Sequence, residues 1–338
     1  MNTHRNNSLD TLRGISCILV ILIHYPFPGM WGAVIKSIGR TAIPFFFMLS
    51  GYYTNKHDIN STRKEIIKRI KKTTVICAGA SIFSLLMEYI FFFRGQSACA
   101  FIEDYFDIGN IWRLIIWNDT GNINHLWFLF ALLYCYLILL CFLFFRPSAN
   151  DYRSIDTIAF LLWVVLIFFA EVLPVFGNSV SVFYYRNGLI TGFPFFWFGF
   201  RLKTKPLKYN LNFRFVFFTG IGIVVAERLL IGNIQNSLGI TMLSAATFIK
   251  AVNYPDWAAC SALASLGREY SLLIYILHWY IIYVEYKIIN ELQFLNSHWY
   301  SIISPILVIM YSVMAAIAVK KAFLLAKGLF RDAVPSKI

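Results

Sequence analysis

Apolar residues in this chain come in long runs rather than in strict alternation. The runs are about 15 to 22 residues long, close to what an α-helix needs to cross a ~30 Å hydrocarbon layer. Barrel strands would show a period of two instead, and inside lipid every backbone group must pair within its own segment. The pattern predicts an all-α, polytopic integral membrane protein of about ten transmembrane helices, near residues 10–27, 40–54, 73–93, 125–145, 155–174, 187–202, 213–231, 238–251, 268–288 and 300–322. The eighth run is diluted by Ser237, Thr241, Ser244 and Thr247. The stretch IWRLIIW at 111–117 is too short to span and reads as an interfacial helix. With no internal repeat, low-complexity stretch or linker, residues 1–338 read as a single transmembrane domain.

The polar interruptions set the orientation, because lysine and arginine collect in cytoplasmic loops. With the N-terminus inside, the inner segments hold Arg5; Lys56, Arg63, Lys64, Lys68, Arg69, Lys71 and Lys72; Arg146 and Arg153; five cations in 201–214; and five in 320–338. The outer loops hold only Lys36, Arg94, Arg113 and Arg186. Both termini are therefore expected in the cytoplasm, with a basic loop at 54–72, an outer loop at 94–124 and a basic tail at 321–338. Glu103, Asp104, Asp107 and Asp119 make the outer loop acidic on balance.

Composition sharpens this picture. The chain is 59% hydrophobic and 14% charged, against roughly a quarter charged in soluble domains. A net charge of +13 would suggest nucleic acid in a soluble protein. Here the charge lies in loops beside lipid, so membrane lipids are the expected partner and no nucleic acid is. The six cysteines form no CxxC pair and, in mostly apolar surroundings, read as small hydrophobes. Pro26, Phe27 and Pro28 follow the first run in place of a small-residue cleavage site, so that run reads as a span rather than a removed signal.

The first run carries the candidate chemistry. Arg13 and His24 are eleven residues apart, which puts them about 20° apart on one helix face and roughly 16 Å apart along its axis. Asp10 shares that side. Ionisable groups within membrane helices are rare and usually functional, and an imidazole titrates near neutrality.

The segment LDTLRG…LIHYP containing Arg13 and His24 resembles the opening motif of the acyltransferase-3 family of membrane-bound acyltransferases. The likeness continues, in order, through FFFMLSGYY at 45–53, IKRIKKT at 67–73, HLWFLFALL at 125–133 and GREYSLLIYILHWY at 267–280. The resemblance implies transfer of an acyl group, commonly acetyl, from cytoplasmic acyl-CoA to a hydroxyl of an extracytoplasmic or lipid-linked glycan. It implies a bacterial inner (plasma) membrane location and no permanently bound cofactor, with acyl-CoA as co-substrate. Arg13 and His24 match the family's essential pair, and Arg69 and Lys72 match its paired-arginine motif. Lys72 departs from that motif, keeping the charge but losing the bidentate fork.

The residues themselves fit this reading. The basic 54–72 segment, besides signalling topology, suits the phosphates of the donor. A phosphate near Arg13 and Arg69 leaves the thioester near His24, which acts as general base or as a transient acyl carrier. Asp10 and Ser50 are further donor-side candidates. Gly51 permits close approach of a ligand or of a neighbouring helix. His125, Trp127, Tyr275, His278, Glu285 and Glu227 are candidates for an acceptor cavity in the outer half, where Glu88 and Glu171 also fall. The alternative for these acids is snorkelling at helix ends. No helix supplies a local pair such as HxxxH, so no metal is expected. A transporter or exporter of a small solute or glycan is the alternative function, because the membrane domain of vancomycin-resistance serine racemases resembles this family too.

Overall fold

A computed structural model describes residues 5–56, 58–93, 95, 97–145, 152–207, 212–232, 235–292 and 298–333. Arg94 and Arg146 lie outside the described residues. Described regular structure is entirely helical. In chain order come α1 (Asn7–His24), α2 (Gly29–Gly39), α3 (Ala42–Thr54), α4 (Ile59–Phe92), α5 (Ala98–Tyr105), α6 (Ile108–Trp117) and, after a 3-10 turn at Gly121–Leu126, α7 (Trp127–Phe145). Then α8 (Arg153–Ile167) runs through a π-turn at Phe168–Val172 into the short α9 (Leu173–Val175). A second π-turn, Gly188–Gly192, opens α10 (Phe193–Thr204). The remaining helices are α11 (Phe213–Leu230), α12 (Leu238–Asn253), α13 (Ser261–Glu269), α14 (Ser271–Glu291) and α15 (His298–Ala333).

All ten predicted segments are helical. Among the described residues, seven stretches are long and apolar enough to cross a membrane: Asn7–His24, Gly29–Thr54, Ile59–Phe91, Ile123–Phe145, Arg153–Val175, Ser271–Ile289 and Trp299–Ala326. The segments predicted at 187–202, 213–231 and 238–251 fall short of that standard. Their helices are brief, or, in α11, carry Arg214, Glu227 and Arg228.

Several boundaries differ from the sequence reading, each for a local reason. The basic segment at 54–72 is helix from Ile59 onward, because Asp58 caps α4 by accepting from the Ser61 N–H at 2.8 Å. The Ser61 side chain, together with that backbone N–H, holds the Asp58 carboxyl below its usual range. The outer segment 94–124 is not an open loop either, since Ser97 and Asp107 cap α5 and α6. IWRLIIW belongs to α6, with Ile111, Trp112, Ile115 and Ile116 exposed. The basic C-terminal stretch continues α15 to Ala333. Helix α1 stops at His24 rather than at 27, because Pro26 pushes Tyr25 out of the helical region, to φ −132° and ψ 76°. The predicted ninth span is broken at Tyr270, which separates α13 from α14.

The chain divides into two compact units, one formed by Met1–Gly39 with Pro255–Ile338 and the other by Arg40–Tyr254. Each contains a close helix crossing built on paired glycines. In the first unit α1 lies against α13, where a Cβ on Gly14 would meet the Leu263 carbonyl oxygen at 2.1 Å and one on Gly267 would meet the Asp10 oxygen at 2.4 Å. In the second, a Cβ on Gly51 would lie 1.9 Å from the Phe196 oxygen, and one on Gly199 1.9 Å from the Met48 oxygen. Lipid offers no hydrophobic drive for helix pairing, so backbone proximity and dispersion carry these contacts. Of the two uses foreseen for Gly51, the close neighbour is a helix.

Polar ties close the second unit. Arg201 binds Asp156 through both nitrogens at 2.8 and 3.0 Å, and the Trp197 indole N–H donates to the same carboxylate at 2.8 Å. Asn55 Nδ2 donates to the Phe200 carbonyl at 2.8 Å, fixing the end of α3 against α10.

Gly51→Leu and Gly199→Leu should each lower the melting temperature of detergent-purified protein sharply, since overpacking commonly costs about 1–3 kcal/mol even where neighbours can yield. Gly79→Ala, where an added Cβ meets nothing within 4 Å, should leave it unchanged or slightly raised. Equal melting temperatures across the three variants would contradict the crossing.

Candidate active site

In the first unit, the start of α1 is zipped to the segment preceding α13. Ser8 N–H donates to the Pro255 carbonyl at 2.6 Å, Ala258 N–H to Ser8 Oγ at 3.0 Å, and Cys260 N–H to Thr11 Oγ1 at 3.1 Å. The Gly14–Gly267 contact continues this seam and brings Arg268 to the acidic edge of α1. Asp10 is held between Arg5 at 2.7 Å and Arg268 at 3.8 Å. Arg13, one turn on, is partly buried above Gly267. Glu269 receives Lys320 of α15 at 2.6 Å, and this ammonium, with Arg268 nearby, holds the carboxyl below its usual range. This end of the unit therefore gathers Arg5, Arg13, Arg268 and Lys320, with Asp10 and Glu269 orienting three of the four cations.

At the other end of α1, His24 is the last helical residue and its side chain is exposed. Two consecutive residues of α14 frame its ring. His278 lies 5.3 Å away between centroids, and Trp279 meets it edge-on at 5.6 Å. His278 is fully buried, and its Nδ1 is 3.1 Å from the Ile274 carbonyl. A carbonyl only accepts, so Nδ1 carries the proton and Nε2 is the basic nitrogen of the neutral ring. The Tyr275 ring lies 6.0 Å from that of His278. Deeper along α14, buried Glu285 accepts a hydrogen bond from the Tyr300 hydroxyl, and the Tyr25 hydroxyl donates to Ser304 Oγ at 3.3 Å. The backbone order that produces this arrangement is simple. Pro26 ends α1 at the imidazole, and the i, i+3 and i, i+4 rows of α14 then present Tyr275, His278 and Trp279 around one end of the helix.

The second unit holds the other predicted donor-side residues. Arg69 donates to Glu65 Oε1 at 2.7 Å and to the Tyr53 carbonyl at 3.1 Å. The buried Tyr136 hydroxyl of α7 lies near enough to both Arg69 and Ser50 to interact with each. Ser50 and Arg69 are thus both neighbours of a buried tyrosine of α7. Lys72 is exposed, three residues further along the same helix. Below it a surface cavity of about 430 Å³ is lined by Lys56, Asp58, Ser61, Lys64, Glu65 and Lys68.

The predicted acceptor residues do not behave as one set. Tyr275, His278 and Glu285 lie on α14 in the first unit. In the second, His125 Nε2 is 3.4 Å from Ser84 Oγ, while Trp127 carries the Arg186 guanidinium over its ring at 5.4 Å. Glu227 is committed to the start of α12, accepting from Ser237 Oγ at 2.5 Å and from the Gly239 N–H at 2.9 Å. Glu171 accepts from the Leu238 N–H of the same turn at 2.8 Å. These carboxylates sit at the positive end of a helix dipole, a favourable place for them. Sequence reasoning passed over Tyr136, Arg268 and Tyr300. The signal for Tyr136 was a hydroxyl in an otherwise apolar run, and Arg268 stood inside a quoted motif; nothing in the sequence marked Tyr300.

A family model described as an acyltransferase domain matches residues 6–319. A curated relative named an amino-acid racemase, from Enterococcus faecalis, is 27% identical over 223 residues, which cover 60% of this chain and 29% of the relative. The chain therefore matches less than a third of that relative's length. No solved structure matches. With apolar helices throughout, a partly buried Arg13 and a framed His24 on one helix, and a family model that spans both units, the chain belongs to the acyltransferase-3 family of membrane acyltransferases.

Proposed function

We propose that the protein is a membrane O-acyltransferase that moves an acyl group, acetyl in the simplest case, from cytoplasmic acyl-CoA to a hydroxyl of an extracytoplasmic or lipid-linked glycan. The observation that carries this reading is His24, exposed at the end of α1 and framed by His278 and Trp279, on the same helix as Arg13. Ten crossings with both termini in the cytoplasm, in a bacterial inner membrane, complete the proposal.

In the reaction the acceptor oxygen attacks the thioester carbonyl, the C–S bond breaks and the thiol departs. His24 takes the hydroxyl proton as the C–O bond forms and returns it to the leaving sulfur. A covalent variant, in which the imidazole briefly carries the acyl group, needs the same two partners. His278, with Nδ1–H held by the Ile274 carbonyl, offers a fixed ring beside the working one and limits its rotation. Donor contacts are assigned to Arg13 and Asp10 in one unit and to Ser50, Arg69 and Lys72 in the other. Asp10 acts by holding Arg5 and Arg268, and Glu65 by holding Arg69.

The likeness to a protein named an amino-acid racemase supports a second reading, in which this chain handles an amino acid or another small solute rather than an acyl group. Release of free thiol from labelled acetyl-CoA by purified protein separates the two.

His24→Ala should lower the rate of acyl release or transfer at least about 100-fold, the scale of a lost general base, with the melting temperature within a few degrees of wild type. Unchanged release in that variant would remove the enzymatic assignment of His24. Arg13→Ala and Arg69→Ala should each raise KM for acyl-CoA about 10- to 100-fold, as expected for one lost charge-assisted hydrogen bond. A fall in kcat at unchanged KM would place either arginine outside donor binding.

A further inference from the structure

The first four turns of α4 carry one continuous polar stripe. Steps of three and four residues relate Ser61, Lys64, Glu65, Lys68, Arg69 and Lys72, so they share a face, and Ser61 and Lys72 lie about 16 Å apart along the axis. The start of this stripe borders the surface cavity of about 430 Å³, whose wall is Lys56, Asp58, Ser61, Lys64, Glu65 and Lys68. Lys56 reaches the cavity from outside the helix, and its backbone is fixed there. Its N–H donates to Thr62 Oγ1 at 3.1 Å, and that hydroxyl donates to the Asp58 carbonyl at 2.8 Å.

Both acids of the wall are already engaged. Asp58 accepts the Ser61 N–H at 2.8 Å, and Glu65 faces Arg69 at 2.7 Å and Lys56 at 4.0 Å. Lys64 and Lys68 are exposed and, among the described residues, form no salt bridge. Three ammonium groups, two engaged carboxylates and the positive end of a helix leave the cavity cationic. A lysine ammonium is a compact point charge with three donors. It suits the terminal oxygens of a phosphomonoester, which carries about −1.5 to −2 charge at pH 7. A guanidinium instead offers a planar fork for paired oxygens. The stripe passes from the first kind to the second, with ammonium groups around the cavity and then Arg69 with Lys72 about one turn further on. Coenzyme A carries two kinds of phosphate in a fixed order. A phosphomonoester sits on the ribose 3′ oxygen, and a diphosphate on the 5′ carbon leads to the pantetheine arm and the thioester.

We propose that the cavity walled by Lys56, Lys64 and Lys68 receives the ribose 3′-phosphate of the donor, with the diphosphate on Arg69 and Lys72, and so selects CoA thioesters over donors that lack that group. The donor's identity rests on the acyltransferase reading; the phosphomonoester site rests on the cavity. Residues outside the pair Arg69 and Lys72 thereby set which thioester is taken. The polarity of the donor follows, with its nucleotide toward the start of α4 and its pantetheine arm toward the apolar part of that helix.

Two readouts on the full-length protein in detergent test this. The first compares KM for acetyl-CoA and for its 3′-dephospho form. In wild type the dephospho form should show a KM at least about 10-fold higher, the scale of one lost charge-assisted hydrogen bond. In the double variant Lys64→Gln with Lys68→Gln the two values should converge, because only the KM for acetyl-CoA rises. Lys64→Arg with Lys68→Arg should keep most of the preference, and Lys205→Gln, at an exposed lysine outside the cavity, all of it. The second readout is thermal unfolding, which needs no acyl transfer. Adenosine 3′,5′-bisphosphate should raise the melting temperature by a few degrees, adenosine 5′-phosphate and glycerol 3-phosphate by clearly less, and the rise should vanish in the double Gln variant. Equal KM values for the two thioesters in wild type, an equal shift with adenosine 5′-phosphate, no shift at all, or a shift that survives in the double Gln variant overturns the site. An equal shift with glycerol 3-phosphate marks a lipid-headgroup site and overturns the nucleotide assignment. A wild type that hydrolyses neither thioester, yet keeps the bisphosphate shift and loses it in the double variant, overturns the acyl-transfer reading and leaves the site in place.

Discussion

Two helices can approach until their backbones touch only where both lack side chains at the crossing. In this protein that condition is met most closely, among the described residues, by Gly14 with Gly267 and by Gly51 with Gly199. The arrangement is reciprocal: each glycine receives the partner's carbonyl, so neither helix can slide without driving a Cα into an oxygen. Such contacts bring weak Cα–H···O attraction and dense packing where lipid supplies no hydrophobic drive. What sits near each crossing is thereby set. Arg13 and Asp10 flank Gly14, Arg268 follows Gly267, and Ser50 precedes Gly51.

The acidic side chains show how few such groups the fold leaves uncommitted. Asp58 starts α4, Glu227 and Glu171 start α12, Asp156 locks α10 to α8, Asp10 gathers two arginines, and Glu269 ties α13 to α15. Each of these uses satisfies backbone N–H groups or cations that a low-dielectric surrounding would otherwise penalise. The cations are the more numerous partner, and many of them lie in the basic turns of α4.

How much of this was readable in advance depends on the range of the interaction. Helical runs, and Arg13 and His24 on a common face, follow from spacing within one segment and were visible at once. The stop at His24 was also local, written in Pro26, yet the apolar run through Phe27 masked it. The partners of His24 were not legible, because His278 and Trp279 arrive from a helix more than 250 residues later and only the fold decides which of its faces meets α1. Glu227 illustrates the converse. A carboxylate in an apolar segment suggested a cavity, whereas Ser237 and Gly239 use it to begin a helix that lies just beyond it in sequence. Tyr136 shows the limit on the donor side, since its link to Ser50 and Arg69 needs three separate segments at once.

Helix α4 has 34 residues, so it is about 50 Å long where the hydrocarbon layer is ~30 Å thick. Some 20 Å of it must stand clear of the apolar slab, and that free portion is the lysine-bearing one. An unbroken α-helix is stiff, so the wet, lysine-bearing turns and Ser84, whose Oγ lies 3.4 Å from His125 Nε2, are parts of a single rod.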